Sequence, residues 1–171
     1  MGLIDISVCE SDDGVYDAMN KAARLANGDY VCYMNAGDVY PEDDTLNRIV
    51  ATLRKHNTDG LLGWGSLNDN IWASWTQGSA FKLSSLGFCH QSLYVKRELL
   101  LQVPFDDRRF KTDSDTLQLG ALYEHGAKIE IVPEVWAVRG GDAGISADLE
   151  RSKRSIKATF CLLYTSDAAD E

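Results

Sequence analysis

The acids of this chain stand at places where a carboxylate could do work. Residues 35–38 read Asn-Ala-Gly-Asp directly after the apolar run "DYVCYM". A carboxylate delivered at the end of a buried strand, beside a glycine that admits close backbone approach, sits where α/β sheets receive ligands. Asp38 is therefore a candidate metal ligand, although Asn, Gly and Asp are also ordinary turn formers after a strand. Asp113 and Asp115, in "KTDSDTL", stand at the entry of a helical pattern, where capping is the common fate of such acids. His90 and Gln91 are flanked by Phe88, Leu93 and Tyr94, which suits either a site or a satisfied core histidine.

The elements that must position these groups alternate. An apolar-polar stretch at 3–9 reads as a strand, and "GVYDAMNKAARLA" as a helix over 14–27 stopped by Asn27-Gly28. "DYVCYMN" predicts a strand over 29–34 buried on both faces, as in a parallel sheet. Leu46, Ile49, Val50 and Leu53 predict a helix over 42–56, with acids before it and Arg54, Lys55 and His56 at its end to complement the dipole. "GLLGWGSL", "NIWASWT" and "SLYV" read as strands, "KRELLLQ" and "DTLQLGALYEH" as helices, "AKIEIVP" and "VWAVRG" as two strands, and "DLERSKRSIKAT" as a terminal helix. This order predicts one α/β domain with a mostly parallel sheet flanked by helices.

Composition narrows the function. With 171 residues, 44% hydrophobic, the chain suits one core that buries roughly 70% of the unfolded surface. A net charge of -9 argues against a nucleic-acid partner, which lysines and arginines must attract. Cys9, Cys32, Cys89 and Cys161 are widely spaced and form no C-x-x-C pair, as expected of inert reduced thiols in a cytoplasmic protein. No apolar run approaches the roughly 20 residues of a membrane span. Both ends read as abrupt. "CLLYTSDAADE", 161–171, resembles the translation of a transposon-end sequencing adapter and is set aside from the fold, leaving a partial domain over 1–160.

Beyond spacing, "ESDDGVYDAMNKA" followed by "ANGDYVCYMNAGD" resembles a stretch of glycosyltransferase family 2 enzymes of bacterial surface-polysaccharide synthesis. "FCHQSLYV", "FDDRRFKTDSDTLQL" and "GGDAGIS" resemble further segments of that family in the same order, over about residues 7 to 146. The resemblance implies a Rossmann-like GT-A fold and an inverting, metal-dependent transfer of a sugar from a nucleotide-diphosphate donor to an acceptor hydroxyl. Asp38 matches the metal-binding aspartate, for Mg²⁺ or Mn²⁺, and Asp113 the catalytic base, with Asp115 as helix cap. Asp12, Gly14, Asn20 and Lys21 match the donor side, where Lys21 could meet phosphate or simply face solvent. Asn35, His90 and Gln91 are placed near the diphosphate or acceptor. Many relatives carry aspartates where Asn35 and Gly37 stand, so metal affinity before donor binding is expected to be weak.

Trp64, Trp72 and Trp75 could stack on sugar rings, but aromatic residues in strands are more often core. Arg151, Lys153, Arg154 and Lys157 could meet an anionic inner membrane surface, where lipid-linked acceptors reside, or lie on a solvated helix face. Full-length members open with a strand, helix and strand that hold the nucleoside. Their lack before Met1 implies an inactive fragment with unpaired sheet edges. Two other classes are weighed: a non-enzymatic remnant that keeps the fold, and a nucleotidyltransferase, disfavoured because no glycine-rich loop with a following lysine is found.

Overall fold

A computed structural model describes residues 4–68, 70–72, 88–110 and 114–140. Asp113, Trp75, most of "GGDAGIS", the basic terminal helix pattern and the tail 161–171 lie outside the described residues. The elements are α1 (Val15–Leu25), β1 (Tyr30–Val31), α2 (Thr45–His56), β2 (Gly60–Leu67), β3 (Asn70–Trp72), a 3-10 turn (His90–Ser92), β4 (Leu93–Lys96), α3 (Arg97–Gln102), α4 (Ser114–Glu124) and β5 (Ile129–Val138). α2 ends as its sequence requires: basic residues fill its last turn, and Asn57 takes a left-handed φ of 47° with its N–H on the Leu53 carbonyl.

β2 is the central strand. It pairs with β4 and β3 on one side, both antiparallel, and with β5 on the other, parallel, while β1 pairs antiparallel with β4. The expectation of a mostly parallel sheet is thus corrected to a mostly antiparallel one. A run buried on both faces reads alike in either direction, and direction is set by connections that periodicity does not report. Successive residues face opposite layers. Leu62, Leu93 and Val95 pack with Leu100, Leu119 and Leu122 of α3 and α4, whereas Leu61 and Tyr94 pack with Ile49 and Leu53 of α2 and with Trp136.

Three further expectations are corrected. Residues 4–9 form no strand, and Ile4, Ile6 and Val8 are exposed. β1 spans Tyr30–Val31 rather than 29–34, because the chain leaves the ladder before Cys32. "AKIEIVP" and "VWAVRG" are one strand, β5, whose register against β2 shifts between Leu62 and Trp64 and again before Gly65. Pro133, lacking an N–H, falls in that irregular stretch, where no ladder bond is required of it.

The pairing directions gather the site. β4 runs opposite to β1, so the turn that begins β4 lies beside the loop that ends β1. β5 runs with β2, which is antiparallel to β4, so the end of β5 arrives at the same edge. Val39, just past the β1 loop, bridges Val138 with N–H to carbonyl distances of 3.0 and 2.8 Å.

Gly63 admits Trp136 to the core. A β-carbon there would lie 2.5 Å from the ring of Trp136, which is 1% exposed and stands edge-on to Tyr94 at 5.8 Å. Gly63→Ala is expected to destabilise the fold by about 1–3 kcal/mol through overpacking. Urea unfolding measures this, and an unchanged midpoint would contradict the packing described.

Candidate active site

One short turn carries the site. Ser92 is fully buried, and its hydroxyl lies 2.9 Å from the Gly63 carbonyl oxygen and 2.7 Å from that of Cys89, which ties the turn to β2. Gly65 makes room for Cys89, since a β-carbon at 65 would stand 2.6 Å from the sulfur. His90 and Gln91 therefore project side by side from a fixed backbone.

Gln91 reaches Asp38. Its Nε2 donates to Oδ2 of Asp38 at 2.7 Å, while its Oε1 accepts from the thiol of Cys89 at 3.0 Å. Burial pushes the Cys89 thiol up, so the S–H persists as a donor and the amide of Gln91 is oriented from behind. Asp38 itself ends a tight turn in which its N–H meets the Asn35 carbonyl at 3.1 Å and Gly37 adopts φ 89°. Oδ2 also accepts from the Asn35 N–H at 3.2 Å, and Oδ1 accepts from the Gly140 N–H at 3.0 Å. Gly140 has to be glycine, because a β-carbon would collide with the Gly37 carbonyl.

His90 reaches the other carboxylate. Nδ1 lies 3.2 Å from Oδ2 of Asp115, and Nε2 lies 3.1 Å from Nδ2 of Asn35. A carboxylate only accepts, so the Nδ1 nitrogen donates its proton to Asp115. Asp115 also accepts from the Thr116 N–H at 2.9 Å, and the Tyr16 hydroxyl approaches it at 3.4 Å. The expected capping role is corrected, because α4 starts at Ser114 and places Asp115 inside the first turn. Burial alone would raise the Asp115 carboxyl, but the hydrogen bond and charge of His90, with the Thr116 N–H, hold it below the usual carboxylate range. Beneath the pair, Val31, Tyr33, Leu93 and Phe105 line a cavity of about 10 Å³.

The donor-side residues divide. Asp12 accepts from the Gly14 N–H at 2.9 Å, and Gly14, with φ 124°, begins α1. Lys21 is drawn to Asp17 at 3.0 Å, Glu10 at 3.3 Å and the Ser11 carbonyl at 3.0 Å, so it holds the 10–17 loop to α1. Asn20 does not face the crevice. It is 7% exposed, and its amide exchanges hydrogen bonds of 3.0 and 2.9 Å with the backbone of Phe105. Sequence reasoning overlooked Tyr16 and the thiol of Cys89. Each sits in an apolar pattern that core packing explains equally well.

A divalent cation fits as a lightly held guest. No group of three or more His, Cys, Asp or Glu among the described residues is arranged to hold an ion. A carboxylate offers about four acceptor positions. Among the described residues, three neutral N–H donors meet Asp38, and they do not cancel its charge. That suits one protein ligand of a largely hydrated ion, as Mg²⁺ is usually bound.

The family model described as "Glycosyl transferase family 2" matches residues 3–124. A PGL/p-HBAD biosynthesis glycosyltransferase of Mycobacterium tuberculosis is 32% identical over 110 residues, covering 62% of this chain and 42% of that protein, and its Mycobacterium bovis counterpart matches equally. The chain thus spans about two fifths of the length of these relatives. Among solved structures, S. aureus TarS 1-349 superposes with TM-score 0.54 at 17% identity, over 78% of this chain and 42% of that one. A mannosyltransferase, PcManGT from Pyrobaculum calidifontis, in complex with GDP-Man and Mn²⁺, gives TM-score 0.54 at 21% identity, over 84% and 41%. These neighbours share the GT-A fold.

Asp115 should leave a signature in acid. Its folded-state pKa lies below the unfolded value near 4, so its stabilisation is complete above that value and is lost as pH falls through the folded one. Asp115→Asn is expected to cost about 1.5–3 kcal/mol at pH 7 and progressively less toward strong acid. Urea unfolding across that range tests it, and a cost independent of pH would contradict the pairing with His90.

Proposed function

Since the chain belongs to glycosyl transferase family 2, we propose that it moves a sugar from a nucleotide-diphosphate donor to an acceptor hydroxyl with inversion, aided by Mg²⁺ or Mn²⁺. The observation that carries this reading is the meeting of Asp38 and the His90–Asp115 pair across one rigid turn. Inverting transfer needs a charge-neutralising group on the departing side and a proton acceptor on the entering side. A divalent cation on Asp38 would supply the first by neutralising charge on the departing diphosphate. The proton acceptor belongs at the entry of α4, where the resemblance places Asp113 and where the His90–Asp115 pair stands.

The chain's own residues perform the remaining tasks. Gln91, Asn35 and Gly140 aim the Asp38 carboxylate by hydrogen bonds. The Asp12–Gly14 loop is assigned to the nucleoside side of the donor. The neighbours' complexes with UDP, UDP-GlcNAc and GDP-Man support a nucleotide sugar as donor. The acceptor in this reading is a lipid-linked or saccharide hydroxyl of surface-polysaccharide synthesis, met at the cytoplasmic face of the membrane; the mycobacterial relatives are named for PGL/p-HBAD biosynthesis. No helix among the described residues is long and apolar enough to cross a membrane.

In the full-length protein, Asp38→Ala is expected to lower turnover by about 10²–10³, the usual cost of losing one charge-stabilising group. The assay follows release of nucleoside diphosphate from GDP-mannose and UDP-N-acetylglucosamine with Mn²⁺, alongside calorimetric donor binding with Mn²⁺ or EDTA. Wild-type turnover in the variant would contradict the cation assignment. Donor binding without release in the parent protein would favour a binding module.

A further inference from the structure

We propose that Gln91 is a positioning residue that sets cation preference: it keeps Oδ2 of Asp38 occupied, so that the carboxylate offers a cation one oxygen, Oδ1, and favours Mg²⁺ or Mn²⁺ over Ca²⁺. This rests on the cation reading above. The two oxygens of Asp38 are not equivalent. Oδ2 accepts from the Gln91 amide at 2.7 Å and from the Asn35 N–H at 3.2 Å, which fills both of its lone pairs. Oδ1 accepts from the Gly140 N–H at 3.0 Å, and that bond is exposed, whereas the bond to Gln91 is partly buried. The oxygen on the open side is therefore Oδ1.

Gln91 does not give up this bond freely. The residue is 3% exposed, so an amide turned away from Asp38 would lose a charge-assisted hydrogen bond out of reach of bulk solvent. Two thiols hold it from behind. Cys89 donates to Oε1 at 3.0 Å, which turns the NH₂ end toward Asp38, and Cys32 donates to the Gln91 backbone carbonyl at 3.1 Å. Burial raises both thiols, so both keep the proton they donate. A carboxylate held in this way cannot clasp an ion with both oxygens unless the Gln91 bond breaks. Ca²⁺, with about six to eight oxygen ligands in flexible geometry, readily takes a carboxylate through both oxygens, whereas Mg²⁺ demands a near-ideal octahedron of single oxygens. Mn²⁺ shares the octahedral preference. One-oxygen ligation thus deprives Ca²⁺ of a contact that the smaller ions do not use.

Gln91→Met keeps the volume without a donor and frees Oδ2. In the full-length protein, calorimetry would measure the binding of GDP and of UDP in Mn²⁺, Mg²⁺, Ca²⁺ and EDTA, with urea unfolding in EDTA to confirm that each variant folds. The parent is expected to bind nucleotide more tightly with Mn²⁺ than with Ca²⁺, and Gln91→Met to lower that ratio by about tenfold, through tighter binding in Ca²⁺. Cys89→Ala, which lets the amide turn, should lower the ratio by less. Cys89→Ser, which keeps a donor to Oε1, should hold the parent ratio. This second pair decides the matter if Gln91→Met does not fold. A ratio unchanged in folded Gln91→Met or, failing that variant, in Cys89→Ala, would overturn the assignment and leave a cation on Asp38 standing. Equal weakening in all three cations, as a residue that only supports the turn would give, would do the same. Nucleotide binding by the parent that is as tight in EDTA as in Mn²⁺ would overturn both.

Discussion

The hydroxyl of Ser92, buried between the carbonyls of Gly63 and Cys89, fixes the one stretch of backbone on which the site depends. Because that turn cannot rotate, two adjacent side chains are aimed at two carboxylates from distant parts of the chain: Gln91 at Asp38 and His90 at Asp115. Removing the hydroxyl would take away the side-chain tie between this turn and the Gly63 carbonyl of β2, at a cost of about 1 kcal/mol. Both polar links also rest on second partners, Cys89 behind Gln91 and Asn35 before His90.

Strand direction converts this turn into a site. Had β4 run parallel to β1, its leading turn would lie at the opposite end of the sheet from Asp38. The antiparallel pairing of Tyr30 with Lys96 and Val31 with Val95 puts them together. The parallel pairing of β5 with β2 then brings Gly140 to the same edge. Glycine is used where that convergence is tightest. Gly37 takes a positive φ, and Gly140 faces its carbonyl at a distance no β-carbon permits.

Much of this was legible in the chain itself. The alternation of elements, the boundaries of β2 and α2's charged end followed from periodicity and helix electrostatics, and the family resemblance was borne out together with the GT-A fold. Direction was not legible, because apolar strands carry no record of the way their neighbours run. Asp115 shows a second limit: an acid at a helix entry reads as a cap, and only the fold could bring His90 within 3.2 Å of it. Asn20 shows the converse. A polar residue matched to the donor side instead closes its amide onto the backbone of Phe105, buried in the core.

That the turn and Asp38 form one cation-binding unit is open to direct observation. Mn²⁺ added with GDP to the ¹⁵N-labelled protein broadens NMR signals according to their distance from the ion. The account predicts that the Gln91 side-chain amide and the Gly140 N–H, both bonded to Asp38, broaden first and stay sharp in Asp38→Ala. Broadening centred instead on the acidic run of residues 42–44, and unaffected by that substitution, would contradict it.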